Sequence, residues 1–89
     1  MKGWELVVAS PARRAIDRLP EKVAVAVLDF LLGALTENPS RVGKPLRGDV
    51  TGLHSARVGA YRVVYEIDPT SSVVRVLYID HRADVYRPR

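Results

Sequence analysis

Basic, imidazole and phenol side chains are concentrated in three segments of this sequence, each beside an apolar run that is typical of a strand. The segments are Lys44-Pro45-Leu46, residues 60–65 and residues 80–86. Arginine can only stabilise negative charge, whereas histidine and tyrosine can also exchange protons. Cleavage of RNA by attack of a 2′-hydroxyl on its own phosphate needs a base, an acid and cationic donors. The three segments therefore suit the chemistry of phosphodiesters.

The sequence offers little to other kinds of catalysis. Its two histidines, His54 and His81, lie in different segments, no carboxylate pair has a helical ligand spacing, and there is no cysteine. No phosphate-binding glycine loop or nucleophile elbow appears. We therefore expect a protein that uses neither a metal nor a cofactor.

The excess positive charge lies entirely in the second half of the chain. Residues 1–40 contain five Lys/Arg and five Asp/Glu, whereas residues 41–89 contain nine and five, which accounts for the net charge of +4. This division fits a scaffold followed by a surface for nucleic acid or an acidic protein, with a solvated basic surface as the alternative. The N-terminus lacks the apolar stretch of a signal peptide, and no apolar run approaches the roughly 20 residues that span a bilayer. We expect a soluble cytoplasmic protein.

The first half predicts one strand and two helices. Residues 4–8 are rich in strand formers. Ser10 is the expected N-cap of the first helix, with Pro11 at its first position and Pro20 as its end. A second helix follows and ends at Asn38-Pro39. Its apolar residues form one stripe, which we interpret as a core face rather than a partner-binding face: Val23, Ala26, Val27, Phe30, Leu31, Ala34 and Leu35.

The second half predicts a loop and three strands. Residues 40–51 show no periodicity, so we expect a loop that carries Lys44 and Arg47. Short connections that predict antiparallel hairpins separate three strand-like runs: Leu53 to Val58, Tyr61 to Ile67 and Val73 to Ile79. The predicted fold class is α+β, a single domain of residues 1–89 with the order βααβββ. Two N-terminal helices pack on one face of a mainly antiparallel sheet.

Strand alternation predicts where the cationic side chains point. In the run 61–67, every second residue is expected to face the helices, namely Tyr61, Val63, Tyr65 and Ile67. Arg62 is then left on the open side. The last run delivers His81 and Arg82 just past its end. We therefore expect a cleft that these three side chains share with Arg57.

Each candidate residue also has a plainer interpretation. Any one of the arginines can be a surface charge or the partner of a nearby carboxylate, of which there are three: Glu66, Asp80 and Asp84. For His54 taken alone, the sequence favours a structural or merely exposed role over catalysis.

Taken together, the motifs resemble the RelE/ParE superfamily of bacterial toxins, and within it the RelE type. The resemblance covers nearly the full length and rests on the order of the elements and three motifs: Lys-Pro-Leu at 44–46, Tyr-Arg-Val-Val-Tyr at 61–65 and His-Arg-Ala-Asp-Val-Tyr-Arg at 81–87. It implies a compact fold like that of microbial ribonucleases. It further implies an endoribonuclease that enters the ribosomal A site, cleaves mRNA there and is neutralised by a cognate antitoxin.

The resemblance also implies roles for individual residues. The functional arginine of the family's strand falls on Arg62, the basic residues after the last strand on His81 and Arg82, and the C-terminal aromatic residue on Tyr86. The two arginines are expected to hold the scissile phosphate, the histidine to transfer a proton, and the tyrosine to stack on a base or share the proton transfer. The expected RNA-binding residues are Lys44, Arg47, His54 and Arg57. Well-studied RelE-type members place lysines along the second strand, where this chain has Leu-His-Ser at 53–55, so the general base stays open.

The expected partners are mRNA, the ribosome and an acidic, partly disordered antitoxin of the RelB, YefM or Phd kind. Toxin and antitoxin are expected to form a hetero-oligomer that binds operator DNA through the antitoxin. The main alternative is a ParE-like protein that inhibits DNA gyrase by binding and cleaves no RNA. A decayed toxin that is kept as a DNA-bound partner of its antitoxin is a third possibility.

Overall fold

The structure of the chain is a computed structural model that describes residues 3–46 and 52–81. Five strands and three helices follow one another in these residues: β1 (Glu5–Val8), α1 (Ser10–Arg18), α2 (Glu21–Phe30), α3 (Pro39–Val42), β2 (Lys44–Pro45), β3 (Leu53–Val58), β4 (Tyr61–Asp68) and β5 (Val73–His81). Helix α2 continues directly into a π-helical turn, Leu31–Leu35. The predicted α+β class is confirmed.

The strands form one mixed sheet in the order β1-β5-β4-β3-β2. β2, β3, β4 and β5 pair in antiparallel fashion with their neighbours, whereas β1 pairs in parallel with β5. A parallel pair needs a long crossover connection, which the helices and the central strands provide here. The expectation of a mainly antiparallel sheet is therefore confirmed.

One face of the sheet packs against α1, α2 and the π-helical turn. The buried core joins Ala12 of α1 and three residues of the second helical segment to strand residues from β3, β4 and β5. On β4, Val63 and Tyr65 are fully buried in this core, and Tyr61 and Ile67 pack against it. The predicted helix-facing side of β4 is thus confirmed.

The core stripe of the second helical segment is narrower than the sequence predicts. Val27, Leu31 and Leu35 are fully buried, but Ala26 and Ala34 are exposed. The buried positions recur every four residues, which lies between the 3.6-residue turn of an α-helix and the wider turn of a π-helix. The π-helical turn therefore keeps the leucines on the core side and leaves Ala34 outside.

The first helix begins one residue earlier than predicted. Its N-cap is Ala9, not Ser10, and no side chain caps it. The Ala9 N–H donates to Val76 O at 2.8 Å, and the Ala9 carbonyl accepts from Arg13 N–H at 3.0 Å. Because Ala9 ends the strand pairing and begins the helix, Ser10 already lies inside the first turn.

The predicted loop over 40–51 is also wrong in its first part. Pro39–Val42 forms the short helix α3, and Lys44–Pro45 forms a two-residue strand that pairs with Ser55 and His54. Elements of four and two residues are too short to show periodicity in the sequence, and a helix of this length depends on tertiary contacts for its stability. β2 adds an edge strand to the sheet beside β3.

A β-bulge interrupts β5. Val64 pairs with Tyr78 and Tyr65 pairs with Val76, so Leu77 is an extra residue on β5. The side-chain alternation of β5 shifts at this point: Val76 faces the core before the bulge and Ile79 faces it after. β5 also runs two residues further than predicted, so His81 is its last residue and does not lie beyond it.

Candidate functional site

A groove of about 500 Å³ lies where α3 and β2 meet the edge of β3. The described residues that line it are Arg41, Val42, Gly43, Lys44, Ser55, Ala56, Arg57 and Arg62. Every charged residue in this lining is a cation, namely Arg41, Lys44, Arg57 and Arg62. A concave surface lined by charges of one sign concentrates ligands of the opposite sign. We refer to it as the cationic groove.

Two of these cations oppose each other directly. Arg57 of β3 pairs in register with Arg62 of β4, and Asp80 of β5 pairs with Arg62 from the other side. Arg57 is exposed and Arg62 is half-buried. Like charges at opposed positions of an antiparallel pair are destabilising, and the carboxylate of Asp80 opposite Arg62 can offset part of this repulsion. A bound anion would lower the repulsion between Arg57 and Arg62.

The other two cations come from the segment of α3 and β2. Arg41 lies in the last turn of α3, and Lys44 begins β2 opposite Ser55. The phenol of Tyr65 anchors this segment, because its hydroxyl donates a buried hydrogen bond to Pro39 O at 2.7 Å. Burial raises the pKa of Tyr65 to about 12, so at neutral pH the phenol keeps its proton and acts as the donor.

The two histidines lie on the helix side of the sheet, away from the cationic groove. The His54 ring stacks on the ring of Tyr65, with 5.6 Å between centroids and 20° between planes. The His81 ring meets Tyr61 edge to face at 5.0 Å and 87°. Both tyrosines belong to the helix-facing side of β4. His81 nevertheless lies near Arg62 along the sheet. The cross-strand pair of Tyr61 with His81 is adjacent to the pair of Arg62 with Asp80.

The structure thus brings together part of the cleft that the sequence predicts. Lys44, Arg57 and Arg62 line one groove, whereas His54 and His81 lie on the other side of the sheet. The bulge at Leu77 explains the position of His81: with unbroken alternation, His81 would share the face of Arg75 and not that of Val76. Three further predicted site residues lie outside the described residues: Arg47, Arg82 and Tyr86.

Sequence reasoning missed Arg41. This residue falls in a stretch that we expected to be a loop, and only the turn from α3 into β2 brings it beside Lys44. The three-residue spacing of Arg41 and Lys44 on either side of Gly43 was the available signal. Glu66, one of the carboxylates that could neutralise a site arginine, forms an ion pair with Arg75 instead, in which Glu66 Oε1 accepts from Arg75 Nη1 at 2.7 Å.

Within 3–46 and 52–81, His, Asp and Glu side chains form no group of three that could hold a metal ion. No helix in the same part of the chain is long and apolar enough to cross a membrane.

Comparison with known proteins finds a family and close relatives. Residues 6–86 match the family model of the ParE toxin of type II toxin–antitoxin systems, parDE. Toxin RelE of Mycobacterium tuberculosis is 48% identical over 84 residues, which cover 94% of this chain and 87% of that protein. Toxin RelG of the same organism is 49% identical over 76 residues, covering 85% and 87%.

A solved toxin–antitoxin complex contains a chain with a similar sequence and fold. The crystal structure of the toxin–antitoxin complex RelBE2 from Mycobacterium tuberculosis contains a chain that is similar to this one, with a TM-score of 0.85 and 43% sequence identity. The likeness covers 94% of this chain and 97% of that chain.

Proposed function

This chain belongs to the ParE toxin family of type II toxin–antitoxin systems, and we propose that it acts as a RelE-type endoribonuclease that cleaves mRNA in the ribosomal A site. Cleavage there stops translation, and the site of action is the cytoplasm. The names of the two relatives support the RelE type. The observation that carries the proposal is the cationic groove, in which Arg57 opposes Arg62.

The chemistry of the groove fits a phosphodiester substrate. When a 2′-hydroxyl attacks the adjacent phosphate, negative charge builds up on the phosphoryl oxygens. Guanidinium groups donate charge-assisted hydrogen bonds to such oxygens in a fixed fork, which makes Arg57 and Arg62 suitable donors. Since these cations can stabilise the charge themselves, we propose that the reaction is independent of metal.

Proton transfer needs groups from outside the groove. Its described lining holds no histidine, tyrosine or carboxylate side chain. His81, the predicted proton-transfer residue, lies one strand position beyond the pair of Arg62 with Asp80, with its ring on the opposite face of the sheet from the groove. We assign proton transfer to His81, together with Tyr86, and phosphate binding to Arg62 and Arg82. Because few acid and base groups are at hand, alignment of the substrate by the ribosome is expected to supply several kcal/mol of the barrier lowering.

The test compares translated and untranslated copies of one transcript. The chain is induced alone in bacteria, and the 5′ ends of a reporter mRNA are mapped with and without a functional start codon. We expect cleavage of the translated copy only. Purified ribosomes programmed with the same mRNA should be cut equally well in the presence of EDTA concentrations that the ribosomes tolerate. Equal cutting of naked and ribosome-bound RNA would overturn the dependence on the ribosome.

We further propose a RelB-like antitoxin as the partner of this chain, with YefM-like and Phd-like antitoxins as alternatives. The similar solved chain comes from a toxin–antitoxin complex, which supports a partner of this kind. An acidic segment that folds over the cationic groove would offset the opposed charges of Arg57 and Arg62. The affinity of the complex should then fall as salt rises. A flat salt dependence would show that apolar surface carries the interface.

The second candidate function is that of a ParE-like inhibitor of DNA gyrase. The description of the matching family model favours it. A protein that only binds gyrase needs no group for proton transfer, so substitution of His81 would leave its effect intact. Inhibited supercoiling by purified gyrase, together with intact mRNA in the induction experiment, would establish this function in place of RNA cleavage.

A further inference from the structure

The buried hydroxyl of Tyr65 holds the segment of α3 and β2 in place. This segment supplies two of the four cations of the groove, Arg41 and Lys44. Tyr65 has an exposed fraction of 0%, and its ring is part of the core. Its hydroxyl donates to Pro39 O at 2.7 Å, across 26 positions of sequence. The hydrogen bond therefore ties the first residue of α3 to the centre of the sheet.

The same hydroxyl also lies against the end of this segment. Gly43 follows α3, and a Cβ added to it would overlap the Tyr65 hydroxyl and lie 2.6 Å from Ser55 O. The φ of Gly43 is −135°, which any residue can adopt, so it is the close approach that requires glycine here. Pro39 and Gly43, which lie on either side of Arg41 in the sequence, thus both lie against the Tyr65 hydroxyl.

We infer that Tyr65 is a positioning residue, which holds Arg41 and Lys44 as a second phosphate-binding pair in the cationic groove. The pair would bind a phosphate of the RNA backbone next to the one held by Arg57 and Arg62. This inference rests on the proposed function for the identity of the ligand. Tyr65 acts through Arg41 and Lys44 and does not itself contact the RNA.

The physical reason is the shortness of the segment. Helix α3 has four residues and β2 has two, and neither length is stable without support from the rest of the fold. Loss of the Tyr65 hydroxyl would leave the Pro39 carbonyl without its buried donor, which is unfavourable in the folded arrangement. The segment would relax toward water, and its two cations would no longer face the groove in fixed positions.

The test measures binding of an uncleavable RNA, so that it does not depend on catalysis. The probe is a single-stranded oligonucleotide with 2′-O-methyl groups throughout, and its affinity is measured across a salt series by fluorescence anisotropy. We expect Tyr65→Phe to weaken binding by roughly 3- to 10-fold, because two charge-assisted contacts lose their geometry. We also expect the slope of log affinity against log salt to become shallower by up to about 1.4, or about 0.7 for each lost phosphate contact.

A mutant cycle separates positioning from general destabilisation. The double variant Arg41→Ala/Lys44→Ala should reproduce the loss of affinity, and adding Tyr65→Phe to it should have no further effect on RNA binding. Val74→Ala is the matched control, because Val74 is fully buried in the core and lies on β5, away from α3. It should lower the thermal midpoint but keep both the affinity and the salt slope. All variants are assayed well below their thermal midpoints.

Three results from the variants would overturn the inference: unchanged RNA affinity of Tyr65→Phe, additive effects in the cycle, or the same loss of affinity in Val74→Ala. Absence of RNA binding by the parent chain would overturn it as well. Failure of the proposed function looks different. In that case the parent chain does not cleave ribosome-bound mRNA, while the binding cycle still shows whether Tyr65 acts through Arg41 and Lys44.

Discussion

Arg57 lies directly opposite Arg62 on the neighbouring antiparallel strand, and both side chains line the cationic groove. Cross-strand neighbours of the same charge lower the stability of a sheet. In a protein that binds a polyanion, we expect charge repulsion of this kind in the free binding site and a reduction of the repulsion when the ligand binds. The consequence can be measured without any assay of function.

We predict that Arg57→Gln stabilises the free protein. Removal of one of two opposed charges should raise the free energy of unfolding by up to about 1 kcal/mol at low salt. Added inorganic phosphate should raise the thermal midpoint of the parent chain more than that of the variant, since the variant has less charge to offset. The measurement is a pair of melting curves with and without phosphate. A lower midpoint of Arg57→Gln at low salt would contradict the prediction.

Loss of Arg62 should affect the rate of cleavage. Arg62→Ala removes a donor to the charged transition state, and the usual loss for one such donor is on the order of 10²- to 10³-fold. The assay is single-turnover cleavage of mRNA on programmed ribosomes. Arg75→Ala is the matched control, because Arg75 lies in the same sheet but pairs with Glu66 in a half-exposed ion pair. Equal losses in the two variants would remove Arg62 from the site.

The two histidines should behave differently. His81→Ala should slow cleavage by about 10²- to 10⁴-fold and change its pH dependence, as expected for a group that transfers a proton. His54→Ala should have a smaller effect, because His54 stacks on the buried Tyr65, whereas His81 ends β5 one strand position beyond the pair of Arg62 with Asp80. Ribosome binding should largely survive both changes, since phosphate contacts are spread over several cations. A parental rate for His81→Ala with an inactive His54→Ala would move the proton transfer to β3.

Tyr65 should make the protein sensitive to alkali. Burial raises its pKa from the ordinary value of 10.0 to about 12 in the folded state. The unfolded chain therefore loses this proton first, so the contribution to stability is complete below pH 10 and is lost as the pH rises toward 12. Urea unfolding at several pH values should show this decline in the parent chain and a weaker one in Tyr65→Phe. Tyr78→Phe, which changes an exposed tyrosine, should decline like the parent.

Strong local patterns made most of the sheet predictable. β3 spans Leu53–Val58 as predicted, and the alternation of β4 correctly placed Tyr65 in the core and Arg62 on the other face. The signals there are regular, because every second residue of β4 is apolar or aromatic and faces the helices. The groove was predictable in part for the same reason, since Arg57 and Arg62 sit on strands with clear register.

The remaining features depend on tertiary contacts that leave no periodic trace. The run 73–79 is nearly continuous in apolar residues, so nothing in it reveals that Leu77 is a bulge. That one extra residue sets the face on which His81 lies. Helix α3 is likewise specified by a hydrogen bond from Tyr65, a residue far away in sequence. Arg41 could not be placed in the groove without that contact.

The parallel pairing of β1 with β5 has a consequence for synthesis of the protein. Glu5–Val8 leaves the ribosome before the other four strands of the sheet, yet its partner β5 begins at Val73 and inserts between β1 and β4. The nascent chain therefore cannot complete its sheet until β5 has emerged, and pairing between such distant segments is intrinsically slow. A growing chain therefore lacks the complete fold of the toxin until its last strand has been made.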